Sequence, residues 1–344
     1  MEEKAKGVFV GLLDGTFSTL SRTWPTSLLL GGILFIPPAV LFGWAYGSLF
    51  DALARALERA GQEPGPLLAA MGLAYLWLLL AALAQGLVFL FVRACVTEHT
   101  ARAARGQAAG PLQVASFILR EKYARLLGQR VLQIAILSIT LAAAVLLATL
   151  GIVLGVALHS DAIAILAGSV LGLGGIGVVT WLSIRYAVTL ESLVVDGTGI
   201  ERSIDASMDL VRHRWWRVLG YTLLFGLIVS FASSLVATPI MFFSTIRRFM
   251  RALEAVIRDP SGADGFNLVL LKLMAGLGRR FGILQYVQSL LGGFVTPVFM
   301  TLLFLQLKKG PELAVAPPAT EGITGEPGEP GEPGEPAAPQ QGTP

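Results

Sequence analysis

The sequence predicts an all-α fold: a polytopic membrane helix bundle of six transmembrane helices in three hairpins, with amphipathic surface helices between them. Two observations carry this. Charged residues make up only 14% of the 344-residue chain against 54% hydrophobic residues, and the mean hydropathy is +0.69. The charge is also gathered into blocks. It leaves six segments free of Asp, Glu, Lys and Arg: Thr26–Phe50, Leu67–Val92, Val131–Leu158, Ala162–Ile184, Val218–Ile246 and Phe281–Leu307. Each has 23 residues or more, whereas a helix needs about 20 to cross the hydrocarbon core. A charge at the bilayer centre costs about 2.5–3.5 kcal/mol on insertion scales, so six such runs mark spans.

Two regions follow. Residues 1–309 form the six-span membrane domain. Residues 310–344 hold six glutamates and no basic residue, with "GEPGEPGEPGEP" at Gly325–Pro336. Four triplets are too few for a collagen helix, and an acidic, Pro-rich tail of this kind is expected to be disordered. Residues 1–25 mix Glu2, Glu3, Lys4, Lys6 and Asp14 and lack a cleavable signal pattern, so the first span is expected to target the chain and remain in it. Cys95 is the only cysteine, which excludes an intrachain disulfide and a Cys-based metal cluster.

The spans order the charge. With a cytoplasmic amino terminus, the inner side carries 17 basic residues and the outer side 9, as the positive-inside rule requires. Arginine outnumbers lysine 20 to 6, in keeping with a GC-rich bacterial genome. A bacterial inner (cytoplasmic) membrane and a multi-pass topology are therefore expected. The fifth connection is the exception, because Arg247, Arg248, Arg251, Arg258, Lys272, Arg279 and Arg280 would face outward. Two arrangements accommodate it. In one, Ile246–Ile257 and Phe266–Leu277 form an interfacial helical hairpin around the turn Asp259-Pro260-Ser261-Gly262. In the other, the fifth span bends at Pro239 and re-enters.

Three amphipathic stretches lead through aromatic and basic residues into long spans. They begin at Asp14, Pro111 and Asp205, and aligning Trp24 with Trp215 also aligns Asp14 with Asp205. Each precedes two spans, giving three units of surface helix plus hairpin. Internal repeats in membrane proteins place sites where the units meet. Flanks of any span also accumulate Trp, Tyr and Arg, which is the alternative explanation of the pattern.

The third stretch is the densest. Thr198 and Glu201 have the capping-box spacing, so a helix is expected to begin there. Ile200, Ile204, Met208, Val211, Trp215 and Leu219 form one apolar stripe. Such a helix is expected in the headgroup plane, stripe down. Trp24, Trp215 and Trp216 would sit at the interface, and Arg212, Arg214 and Arg217 would reach lipid phosphate. Anionic lipid and other membrane proteins are the partners this composition suggests; nothing in it suggests nucleic acid.

The pattern "GIERSIDASMDLVRHRWWRVLGYTLL" at Gly199–Leu224, together with six paired spans, resembles the membrane domain found ahead of some bacterial glycerophosphodiester phosphodiesterases. That domain also occurs alone in six-span proteins. The resemblance is densest across Asp196–Leu224 and extends loosely over residues 8–309. It implies a fold and an inner-membrane address. The phosphodiesterase catalytic domain has no counterpart here, and His213-Arg214 leads into Trp215 on an amphipathic helix. No catalytic role transfers.

Other motifs have structural explanations. "GLGGIG" at Gly172–Gly177 lies inside a span, so it fits close helix packing better than a dinucleotide. Gly43…Gly47, Gly151…Gly155 and Gly168…Gly172 have the same packing spacing. Pro37, Pro38 and Pro239 are expected to kink or break their helices. Polar groups in or beside spans are Gln85, Gln133, Arg130, Arg185, Glu191, Gln285 and Gln288; Arg185 and Glu191, six apart, form a candidate intramembrane pair. No metal, cofactor or catalytic set is expected. The sequence thus points to a non-enzymatic scaffold or accessory factor in envelope, lipid or export processes. The alternative is a small-molecule or lipid permease with a pathway between the three units.

Overall fold

The computed structural model of the chain describes residues 2–58, 65–107, 109–258 and 263–309, and every regular element in them is helical. In order these are α1 (Glu2–Leu34), α2 (Ile36–Glu58), α3 (Gly65–Ala104), α4 (Pro111–Phe117), a π-helical turn (Ile118–Lys122), α5 (Tyr123–Ala157), α6 (Asp161–Arg185), α7 (Thr189–Asp196), α8 (Ile200–Arg212), α9 (Trp215–Arg258) and α10 (Ala263–Lys309). Six stretches are long and apolar enough to cross a membrane: Gly31–Arg55, Met71–Ala104, Pro111–Ala157, Asp161–Asp196, Trp215–Val236 and Leu273–Lys309. They match the six charge-free runs one for one. The acidic tail lies outside the described residues.

Backbone contact between glycines organises the spans. A Cβ on Gly278 of α10 would lie 2.6 Å from the Gly47 Cα of α2, and one on Gly43 would lie 2.8 Å from the Gly278 carbonyl oxygen. Gly282 meets the Ala39 carbonyl in the same way, at 2.6 Å. The four-residue spacing of Gly43…Gly47 is therefore answered by Gly278…Gly282, which lets the two backbones touch. A second such contact joins α5 to α6. There a Cβ on Gly155 would be 2.3 Å from Ala164, and one on Gly175 2.3 Å from the Ala144 methyl. Gly172 faces open space, so Gly175 is the packing residue within "GLGGIG".

The spans consequently divide. α3 joins α2 and α10, while α5 and α6 pack chiefly on each other, and α10 packs along α2 more than along α9. The side chains that form a protein core lie mainly at one end, in a cap. One core cluster gathers Phe9 and Leu12 of α1, Val211 of α8, Val218 and Phe225 of α9, and Phe299, Leu303 and Phe304 of α10. A second gathers Cys95 of α3, Val114, Ile118 and Leu126 around the π-turn, and Leu193 of α7. A third, with Phe35, Val92, Val96, Phe294 and Val298, lies where the cap meets the spans.

Several expectations change. α8 begins at Ile200, with Gly199 rather than Thr198 as its N-cap and no side-chain cap. Gly197, at φ +66°, ends α7 in the left-handed region, and the Thr198 hydroxyl donates to the Ser192 carbonyl at 3.2 Å. The apolar stripe faces protein, not headgroups. Ser203, Ile204, Ser207 and Val211 are buried, and Ile200 packs on Gly128 of α5. The stripe also spans two helices, because the chain turns at His213-Arg214 before α9 begins.

Pro37 and Pro38 fall in the first turn of α2, just past an interruption at Phe35, where a missing N–H costs little. Pro239 does not interrupt its helix: α9 continues through it to Arg258. At 44 residues, α9 is about 66 Å long. The expected interfacial hairpin is thus the far ends of α9 and α10, and its turn at Asp259–Gly262 lies outside the described residues. α9 leaves the cap and α10 returns to it, where the Phe299 ring meets Phe9. The amino-terminal part of α1 and the carboxyl-terminal part of α10 therefore lie together in the cap.

Candidate functional site

Four of the polar residues within the spans, Gln85, Gln285, Gln288 and Ser289, come together at one cavity. Gln85 of α3 is buried and its amide nitrogen donates to the Ser289 hydroxyl of α10. The other end of the same amide, Gln85 Oε1, is buried with no hydrogen-bond partner. Around this pair lies a cavity of about 450 Å³, lined by Phe42, Ala82, Gln85, Gly86, Phe89, Gln285, Gln288, Ser289 and Gly292. It lies among α2, α3 and α10, between the first of the expected units and the third. Three amides and one hydroxyl supply its polar atoms, rings and small residues the rest, and no charged side chain lines it.

The geometry of the walls sets access. Toward the cap the cavity is closed by the third core cluster, where Phe35 and Phe89 approach at 6.2 Å between ring centroids and Phe294 fills the space beside Gly31. Ala82, Gly86 and Gln288 are exposed on the flank of the bundle. The mouth therefore faces sideways, on the flank of the helices. In hydrocarbon an unsatisfied carbonyl oxygen such as Gln85 Oε1 costs several kcal/mol as an order of magnitude. A donor brought to it is correspondingly favoured.

A second polar concentration holds the cap together. Glu191 of α7 is fully buried and pairs with Arg93 of α3 at 2.9 Å. Arg185, its expected partner, instead stacks its guanidinium over the Trp181 ring at 4.5 Å, and the Arg185 carbonyl accepts from Ser207 at 2.7 Å. Gln133 donates to Thr189 at the start of α7. Glu98 takes two cations, Arg102 at 2.7 Å and Lys122 at 3.1 Å. Both cations also lie over the Phe117 ring, at 5.0 and 4.6 Å from its centroid.

The π-turn supplies Lys122, and that side chain also donates to the Val194 carbonyl. Arg105 donates to the Val195 carbonyl at 3.2 Å and Lys308 pairs with Asp196 at 2.7 Å. Three cations thus meet the C-terminal turn of α7, the negative end of its dipole. π-turns inside helices recur at functional sites; here the turn aims a lysine at a helix end. Spacing had not singled out Glu98, Lys122 or Ser289. Only Ser289 carried a local signal, as the neighbour of Gln288 in a charge-free run.

The residues expected at the membrane interface divide. Trp216 is 78% exposed, and Arg212 and Arg217 are exposed. Trp215 and Arg214 turn inward: the indole N–H donates to the Trp181 carbonyl at 3.4 Å and Arg214 to the Leu307 carbonyl at 2.7 Å. Arg214 therefore joins α10 to the α8–α9 corner rather than reaching for phosphate. The side chain of Trp24 lies outside the described residues.

Fold and site together define an all-helical protein in which six helices are long and apolar enough to cross a membrane, with a helical cap at one end and a largely apolar cavity holding three amides and a hydroxyl between them. Comparison of the chain with protein-family models, curated proteins and solved structures finds no match.

Proposed function

We propose that the protein handles an amphiphile drawn from the bilayer, as a lipid or small-molecule permease or carrier with its site among α2, α3 and α10. The observation that carries this reading is the laterally open cavity around the buried, half-satisfied Gln85 amide. The cavity lies between the first and third of the proposed surface-helix-plus-hairpin units, the position that repeat-built transporters use for their sites. A bacterial inner membrane with the cap and amino terminus in the cytoplasm is part of the proposal, supported by the distribution of basic residues. So is kinship with the phosphodiesterase-associated membrane domain, supported by the Gly199–Leu224 pattern.

Gly86 provides the test. A side chain there meets nothing within 4 Å at its Cβ, yet it projects from the cavity wall. Native mass spectrometry of the full chain extracted with its lipids should show a retained amphiphile that Gly86→Trp loses while α-helicity and elution volume stay unchanged. Equal retention by both proteins rejects the site.

A second reading is a non-enzymatic scaffold in envelope, lipid or export processes, with anionic lipid or other membrane proteins as partners. It is favoured by the α5–α6 hairpin, which packs chiefly on itself, and by the exposed Trp216, Arg212 and Arg217 beside the cap. Replacing Arg212 and Arg217 with Gln should then abolish partner capture from native membranes; unchanged capture removes the mechanism.

A further inference from the structure

The chemistry of the cavity narrows the class of its ligand, a step that rests on the amphiphile reading above. We infer that the site recognises an uncharged lipid through a hydroxyl group that donates to Gln85 Oε1, and that it discriminates against lipids bearing a phosphate. Three observations combine. The unpartnered buried atom is an acceptor, and the nitrogen of the same amide is already engaged with Ser289. In this orientation of the amide the oxygen is left to accept from a donor brought into the cavity. The lining contains amides, a hydroxyl, rings and small residues but no Lys, Arg or His, so a phosphate entering it would lose its hydration without a counter-charge. A protonated amine fares no better, because no carboxylate lines the cavity.

Size and access agree with this. A volume of about 450 Å³ accommodates a small head group with the first methylenes of its chains, not a whole lipid. Phe42 and Phe89 offer apolar walls for those methylenes, and the exposed Ala82 and Gly86 leave the chains a way out into the bilayer. Outside the lining, the Arg93–Glu191 pair is internally matched, and Arg280, five residues before Gln285 on α10, does not reach the lining. Arg93 lies eight residues along α3 from Gln85, about 12 Å by helical rise.

The experiment compares three lipids with identical chains on the full-length protein in mixed micelles. The probes are diacylglycerol, its methyl ether, in which the donor is removed, and phosphatidic acid, in which the hydroxyl becomes a phosphate. Retention measured by native mass spectrometry should favour diacylglycerol over the methyl ether by about tenfold, the scale of one buried hydrogen bond, and over phosphatidic acid by more. Gln85→Met keeps the volume and removes the acceptor, so it should bring diacylglycerol and its methyl ether to equal retention while Gly86→Trp excludes both.

Free glycerol carries the same hydroxyl without chains, and it should leave these ratios unchanged. Displacement by glycerol overturns the bilayer source. Equal binding of the ether or the phosphatidic acid by the wild-type protein, with Gly86→Trp still excluding them, overturns the ligand class and leaves the amphiphile site standing. Indifference of all three lipids to Gly86→Trp overturns both.

Discussion

Glu191 has no exposed side-chain surface, and among the described residues its salt bridge comes from Arg93, 98 residues earlier in the chain, at 2.9 Å. The pair joins α3 to α7 where the spans give way to the cap. Its second oxygen, Glu191 Oε2, is buried without a partner, as is Arg93 Nε, so the pair is the principal compensation each charge receives. Removing one member leaves the other buried and uncompensated, which costs about 3–5 kcal/mol. Arg93→Met should therefore lower stability by about that amount in detergent. Adding Glu191→Gln should recover much of the loss, since replacing both charges removes the orphan. Thermal unfolding of the four proteins in a double-mutant cycle provides the measurement; additive losses would show that the two side chains do not interact.

The glycine contacts make a sharper contrast. Gly43 and Gly278 hold α2 and α10 at backbone distance, whereas Gly172 faces open space. Overpacking a close contact costs about 1–3 kcal/mol. Gly278→Val should weaken the α2–α10 pair by that order, and Gly172→Val, also in a span, should leave stability within about 0.5 kcal/mol. Engineered disulfide cross-linking across α2 and α10, in a Cys95→Ser background, reports the separation directly. Equal cross-linking in Gly278→Val and the parent would mean that the helices do not need the glycine.

Spans were legible because exclusion of charge from hydrocarbon acts on each segment alone, without knowledge of its neighbours. Facing was not. An apolar stripe such as Ile200, Ile204, Met208 and Val211 has the same period whether it meets acyl chains or protein. The residues that tell them apart are Ser203 and Ser207, both fully buried, which hydrogen-bond to Gln129 and to the Arg185 carbonyl. Pairing was least legible. Arg185 lies six residues from Glu191, but Arg93 reaches Glu191 because α3 and α7 pack side by side. Gln85 was visible as a polar residue in a span, while its partner Ser289 lies 204 residues away.

Lys122, largely buried, ties three elements of the cap together. It connects Glu98, the Phe117 ring and the Val194 carbonyl, and hydrogen bonds to charged groups are each worth about 1.5–3 kcal/mol. Lys122→Met keeps the apolar stem and loses the ammonium. The expected result is destabilisation of at least about 1.5 kcal/mol and faster amide hydrogen exchange concentrated in α7, whose C-terminal carbonyl is released. Exchange unchanged in α7 but raised elsewhere would show that the lysine acts by another route.

The tryptophan–arginine corner separates two functions by neighbouring residues. Arg214 donates to the Leu307 carbonyl at 2.7 Å, so Arg214→Gln should weaken the docking of the α10 end and lower the unfolding temperature. Arg212 and Arg217 are exposed beside Trp216, where a basic side chain near an anionic surface gains about 1 kcal/mol. Replacing both with Gln should leave the unfolding temperature unchanged. In vesicles of anionic and zwitterionic lipid, the same protein should lose about a thirtyfold preference for anionic neighbours, read as quenching of Trp216 by brominated anionic lipid. If Arg214→Gln reduced that quenching as strongly as the double substitution without affecting stability, the division of labour drawn from their hydrogen bonding would be wrong.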